Sequence, residues 1–263
     1  MITPESFELQ IEGRIARITL SRPEAYNALT FGVYRELTQC FADLQTEESV
    51  RVVVITGRGK AFCSGGDVRE IIGPLLERNE KKLLDFTRMT CNLVWQMRCL
   101  SKPVIACLNG VTAGAGAILA MASDFRIAAE SARIAFLFVR VGLSGADMGA
   151  CYMLPKLVGL TKATELLMTG DFISAEEALR IGLYNRVVPA EQLTHVALEL
   201  ATRLANGPAN GIAVTKQQIN SETLPRLKEV LDAEATIQAK CMLHPDFQEG
   251  YNSFVEKRPP KFA

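Results

Sequence analysis

The residues best suited to chemistry lie in two short glycine-rich turns. One is Ala61-Phe-Cys-Ser-Gly-Gly-Asp67, and the other is Asn109-Gly-Val-Thr-Ala-Gly-Ala-Gly116. Each follows an apolar run that reads as a buried strand, Val52 to Thr56 before the first and Pro103 to Leu108 before the second. The second turn opens directly onto an apolar helix that runs toward Asp124. Strand, glycine turn and helix together place free backbone N–H groups at a positive helix end. Two such turns can aim one N–H each at a single oxygen, which is the basic form of an oxyanion hole. The chemistry that follows is stabilisation of negative charge as it develops on a carbonyl oxygen.

Elements that alternate between strand and helix must position these turns. Phe7 to Ile11 and Arg14 to Leu20 alternate apolar and polar residues and predict a hairpin. A helix from about Thr30 to Glu47 follows, with Thr30 as N-cap. Further helices are predicted over Val68–Leu76, Lys82–Leu100, Met148–Val158, Lys162–Met168 and Ala175–Ile181, the last with Ser174 as cap and Glu177 as its capping-box partner. Phe125–Ala128, Arg133–Phe136 and Asn185–Val188 read as short strands. Beyond Ala190 the chain reads as helical, with amphipathic stretches at Glu191–Ala205, Asn210–Ile219 and Leu224–Ala239. The fold class is therefore α/β, with a helical C-terminal third.

Composition excludes several function classes. The 29 basic residues balance 29 acidic ones, so no charge footprint for nucleic acid or an anionic membrane is expected. Apolar runs stop well short of the roughly twenty residues a membrane span needs. No signal-peptide pattern opens the chain, and a cytoplasmic location is expected. The seven cysteines sit mostly in apolar runs, and their spacing fits no zinc pattern with His195 or His244. Buried free thiols and no metal site are the expectation.

In order and spacing, these motifs resemble the crotonase family, the enoyl-CoA hydratase/isomerase superfamily. The resemblance rests on Arg22-Pro-Glu-Ala-Tyr-Asn-Ala-Leu29, both glycine turns, Ser123-Asp124, Leu154-Pro-Lys-Leu-Val-Gly159, Leu167-Met-Thr-Gly170 and Ala178-Leu-Arg-Ile-Gly-Leu183. It spans essentially the whole chain. It implies a core of turned ββα units with two stacked sheets, residues 1–190, that binds acyl-CoA. A C-terminal helical region, residues 191–263, would then form homotrimers or homohexamers. The ligand implied is a coenzyme A thioester, with CoA entering as part of the substrate and no separate cofactor.

By the same resemblance the oxyanion-hole donors are the N–H groups of Gly66 and Ala115, with Gly65 and Gly114 beside them. The CoA arm is expected along Glu24, Ala25, Tyr26, Phe62, Ser64, Asp67 and Val68, with Lys257 near the phosphates. Arg258 and Lys261 are further candidates for the phosphates; all three basic residues also read as a solvated tail. Asp67 directly precedes Val68-Arg-Glu and reads as a cap of the following helix rather than as a residue performing chemistry.

One departure from the family pattern matters. Water addition in a family hydratase uses two glutamates, whose positions fall here on Ile118 and Phe138. Neither exchanges a proton, so the two-glutamate mechanism is closed. The nearest substitute is Asp147, in Gly142-Leu-Ser-Gly-Ala-Asp-Met-Gly149, where related isomerases and aroyl-CoA dehalogenases carry a working carboxylate. Asp147 reads alternatively as the N-cap of the helix beginning at Met148. The dehalogenase reading lacks its helper histidine, whose position falls on Cys91, and its aromatic partner, whose position falls on Val139. Arg140 is either a carboxylate partner for substrate or a surface charge. Ile118, Phe138 and Val139 are expected to line the acyl pocket. A hydratase/isomerase-type enzyme with Asp147 as single acid/base is the leading expectation. A CoA-thioester or C–C bond hydrolase, and a non-catalytic acyl-CoA-binding member, stand beside it.

Overall fold

Alternating apolar residues form β1 (Phe7–Glu12) and β2 (Ile15–Leu20), which pair antiparallel from Phe7↔Leu20 to Glu12↔Ile15. The computed structural model describes residues 2–221 and 224–262. After this hairpin the strands divide in turn between two sheets. β3 (Val52–Gly57), β5 (Val104–Leu108) and β7 (Phe125–Ala129) enter the first, and β4 (Ala61–Cys63), β6 (Val111–Ala113) and β8 (Arg133–Ala135) enter the second. Two late strands, β9 (Ile173–Ser174) and β10 (Arg186–Val188), complete them. Among the described residues the larger sheet has six strands in the order β1-β2-β3-β5-β7-β10, parallel from β2 onward. The smaller has four, in the order β4-β6-β8-β9, with only β9 antiparallel.

Helices fill the intervals: α1 (Phe31–Thr46), a single turn α2 (Gly73–Leu75), α3 (Glu80–Cys99) and α4 (Ala115–Ala122). They continue with α5 (Ala150–Val158), α6 (Leu160–Thr169), α7 (Ala175–Arg180), α8 (Leu193–Ala205), α9 (Ala209–Ser221), α10 (Leu224–Cys241) and α11 (Pro245–Glu256). Two predicted caps are in place: Thr30 Oγ1 accepts from Val33 N at 3.3 Å, and Ser174 Oγ accepts from Glu177 N at 3.1 Å. The helix predicted over Val68–Leu76 is instead a wide helical turn at Val68–Ile72 followed by α2.

Side chains of the large sheet alternate between two apolar layers. Val53, Ile55, Val104 and Ala106 face the main core, while Val52, Val54, Ile105 and Cys107 lie under α8. Cover on both faces explains why these strands are continuous apolar runs. Each fully buried aliphatic side chain contributes roughly 1.5–3 kcal/mol by leaving water. The C-terminal helices belong to this same packing: α10 lies along α3, and α11 packs on the turn Leu137–Val141 with Phe247 fully buried. Packing therefore crosses the boundary expected between residues 190 and 191. Among the described residues all seven cysteines are free, four of them buried and Cys99 and Cys151 exposed.

The parallel pairing of β4 and β6 positions the site. Neighbouring parallel strands release their following turns at the same edge, so the two glycine turns emerge side by side. Gly116 lets α4 close on β4, since a Cβ there would stand 2.2 Å from the Cys63 carbonyl oxygen. Gly116→Ala should therefore destabilise the fold by at least about 1–3 kcal/mol, read as a lower denaturant midpoint. An unchanged midpoint would contradict this packing.

Candidate active site

Gly66 forms an isolated parallel bridge with Leu29. Leu29 N donates to Gly65 O and Asp67 N donates to Leu29 O, both at 2.8 Å. In this pattern the bonds go to the two residues flanking Gly66, whose own N–H faces away from Leu29. Ala115 is the first residue of α4, so its N–H has no intrahelical acceptor. Among the described residues, neither amide donates to a protein acceptor. The turns touch: a Cβ on Gly65 would lie 3.2 Å from Ala113 O and 3.4 Å from Ala115 N. Gly65 also has φ +105°, a conformation side chains resist.

The segment Arg22–Leu29 is strapped along the first turn. Ser64 N donates to Tyr26 O at 3.1 Å, and Asn27 Nδ2 donates to Ala61 O at 2.8 Å. Glu24 and Tyr26 are exposed here, and Ala25, Ser64 and Val68 are half-buried. Asp67 is the N-cap of Val68–Ile72, accepting from Arg69 N and Glu70 N at 3.0 Å, with Arg22 Nη1 at 3.1 Å. Partial burial opposes its ionisation, but these amides and the guanidinium hold the carboxyl below its usual range. Its capping role matches the sequence reading.

Asp147 departs from that pattern. The N-cap of α5 is Gly149, and no side chain of the loop caps the helix. A residue from α10 does so instead: Glu234 Oε2 accepts from Gly149 N at 2.5 Å and Oε1 accepts from Cys151 N at 3.3 Å. The expected helix start at Met148 is corrected to Ala150, because Met148 and Gly149 both have positive φ. Asp147 is 8 % exposed, and its Oδ1 is buried without a hydrogen-bond partner. Burial first, and the Glu234 charge second, push its carboxyl from an ordinary 3.8 up to about 7. Burial likewise pushes Glu234 up to about 7, against the pull of the amides it caps. Tyr34, buried in α1, is within electrostatic reach of Cys63, Cys91 and Asp147, which links the loop to the first glycine turn.

Other expected residues fall as follows. Phe62 and Ile118 are fully buried in the core, Phe138 is buried and Val139 is half-buried. The Phe62 side chain is therefore a packing element and does not line an open groove. Lys257 is exposed in a left-handed conformation at the end of α11. Arg258 is held by Glu249 and Glu256, and Arg140 by Asp171. A cavity of about 700 Å³ lined by Met121, Phe125, Leu157 and Ile219 includes none of Gly66, Ala115 and Asp147. Among the described residues no group of three or more His, Cys, Asp or Glu side chains is placed to hold a metal, and no helix is long and apolar enough to cross a membrane.

Glu234 and Gln238 escaped sequence reading. Both lie on the apolar stripe of α10 with Leu227, Leu231 and Ala235. Polar residues recurring on such a stripe are the signal that marks them.

Parallel strands in two sheets, with two glycine turns emerging side by side from β4 and β6, define an α/β fold class. The enoyl-CoA hydratase/isomerase family profile matches residues 10–263. The chain is 34% identical over 257 residues to 1,2-epoxyphenylacetyl-CoA isomerase of Escherichia coli K12, covering 96% of each. It is 31% identical over 253 residues to trans-2-decenoyl-[acyl-carrier-protein] isomerase of Streptococcus mutans, again with 96% of each covered. Among solved structures, a putative enoyl-CoA hydratase from Streptomyces coelicolor is 48% identical with a TM-score of 0.83, covering 100% of this chain and 96% of that one. The chain belongs to the enoyl-CoA hydratase/isomerase family, and it is an enzyme of that family.

A raised carboxyl pKa makes Asp147 a stability cost above neutral pH. The folded state binds the proton more tightly than the unfolded chain, so stability is fully present below about 3.8 and is lost as pH rises through about 7. Asp147→Asn should raise the melting temperature at pH 8, by about 2–4 °C per kcal/mol relieved, and change it least near pH 4. Equal shifts at both pH values would show that the buried charge is not the cause.

Proposed function

We propose that this enzyme isomerises a double bond in an acyl-CoA thioester, with the Gly66 and Ala115 amides as the oxyanion hole and Asp147 as the single acid/base. The observation that carries the reading is a buried carboxyl relieved of capping duty, with one oxygen unpartnered. Isomerisation requires one such group. The Asp147 carboxylate takes a proton from the acyl α-carbon, and the electron pair moves onto the thioester oxygen as a dienolate forms. The protonated Asp147 then returns the proton at the γ-carbon, and the double bond comes to rest between the α- and β-carbons. Each aligned amide stabilises the oxyanion by roughly 3–4 kcal/mol. A carboxyl near pH 7 both accepts and returns a proton efficiently.

Hydration needs water activated and a proton delivered, and the buried Ile118 and Phe138 do neither. One relative described above, trans-2-decenoyl-[acyl-carrier-protein] isomerase, is named an isomerase of an enoyl thioester, which supports the same choice. The CoA arm is assigned to the edge formed by Ala25, Tyr26, Ser64 and Val68, with the exposed Lys257 and Lys261 toward the phosphates, since Arg258 is already paired. The exposed Val214 and Ile219 on α9 are assigned to contact between subunits of a homotrimer or homohexamer.

With a β,γ-enoyl-CoA as substrate, Asp147→Asn should lower kcat by about 10²–10⁴-fold with little change in KM. Deuterium uptake at the α-carbon from heavy water should fall in parallel. Wild-type turnover should decline below about pH 7 as Asp147 takes up its proton. Full exchange by the variant would overturn the assignment, and water addition without isomerisation would favour the hydratase.

A further inference from the structure

We infer that Glu234 and Gln238, one helical turn apart on α10, are positioning residues that hold Asp147 ready for proton transfer. This rests on the reading of Asp147 as the acid/base. Both residues are buried, at 4 % and 0 % exposed. Glu234 lies 85 positions from Gly149, yet its two oxygens cap the start of α5. An N-terminal helix turn with orphan amides would otherwise draw the nearest carboxylate in the loop, which is Asp147. By occupying the cap, Glu234 leaves Asp147 Oδ1 unpartnered.

Gln238 fixes the opposite end of the same loop. Its Oε1 accepts from Ser144 N at 3.1 Å and its Nε2 donates to Ser144 O at 3.3 Å, three residues before Asp147. The segment between these clamps carries Met148 at φ +52°, a conformation that persists only where surroundings enforce it. α10 is itself anchored to α3: Thr87 Oγ1 donates to Ala235 O at 2.8 Å, and Cys91 Sγ to Leu231 O at 3.4 Å.

The two residues act on the Asp147 proton in opposite directions. Tyr34 of α1, Cys91 of α3 and Cys151 of α5 are the titratable groups coupled to Asp147 or Glu234, and none of the three is a cation. Asp232 of α10 is coupled to Cys91 and is itself paired with Arg88 at 3.4 Å. The amides that Glu234 caps favour its charged form, and that charge in turn raises the Asp147 carboxyl. The Gln238 amide, held on Ser144, favours the ionised form of Asp147.

The test is titration of the Asp147 carboxyl by carbon NMR in the full chain, alongside the pH profile of α-proton exchange. Glu234→Gln keeps an acceptor for the cap and removes the charge; the Asp147 midpoint should fall by about one pH unit. Gln238→Ala should raise it, so the two variants shift in opposite senses. A purely structural role would lower the melting temperature in both variants and leave the midpoint in place, which would overturn the inference. If Glu234→Gln does not fold, the upward shift in Gln238→Ala decides alone. Loss of exchange in Asp147→Asn with fixed midpoints in both variants would sink the positioning role and spare the acid/base assignment. Exchange retained in Asp147→Asn would sink that assignment instead.

Discussion

A backbone N–H turned out of its sheet must find an acceptor, and this constraint organises the molecule around two amides. The Leu29–Gly66 bridge uses the peptide groups on either side of Gly66 and leaves its N–H facing away. The start of α4 leaves the Ala115 N–H without an intrahelical acceptor. Both amides lie at one edge because β4 and β6 are parallel neighbours, which follows from strands alternating between two sheets. Gly65 and Gly116 let the backbones approach to distances that a side chain would block.

A second tension lies in the loop before α5. Asp147 is buried among neutral groups beside another acid, an arrangement that opposes stability at the pH where its charge would be useful. The fold maintains this arrangement through α10, which contributes a cap to α5, a clamp on Ser144 and an apolar face to α3. The C-terminal helices thus do more than cover an apolar surface: they decide which carboxyl is tied down and which is left open.

What was legible in the sequence is local. The glycine turns, the caps at Thr30, Asp67 and Ser174, and the apolar strands could be read because each depends on residues a few positions apart. The second sheet was not, since β4, β6 and β9 are two or three residues long and their partners are distant. The family resemblance supplied it. Asp147 was poised between cap and catalyst because the deciding residue, Glu234, stands far along the chain. Local pattern could not reveal that another helix had taken the cap, although polar residues on the apolar stripe of α10 were the clue.

The central claim is that one pair of peptide amides and one carboxyl face the same thioester. A crystal structure with a non-reactive acyl-CoA analogue tests this most directly. The thioester oxygen should lie about 2.7–3.1 Å from both the Gly66 and Ala115 nitrogens, with Asp147 Oδ1 directed at the acyl carbons. A thioester bound elsewhere, or Asp147 turned onto the α5 amides in the complex, would contradict it.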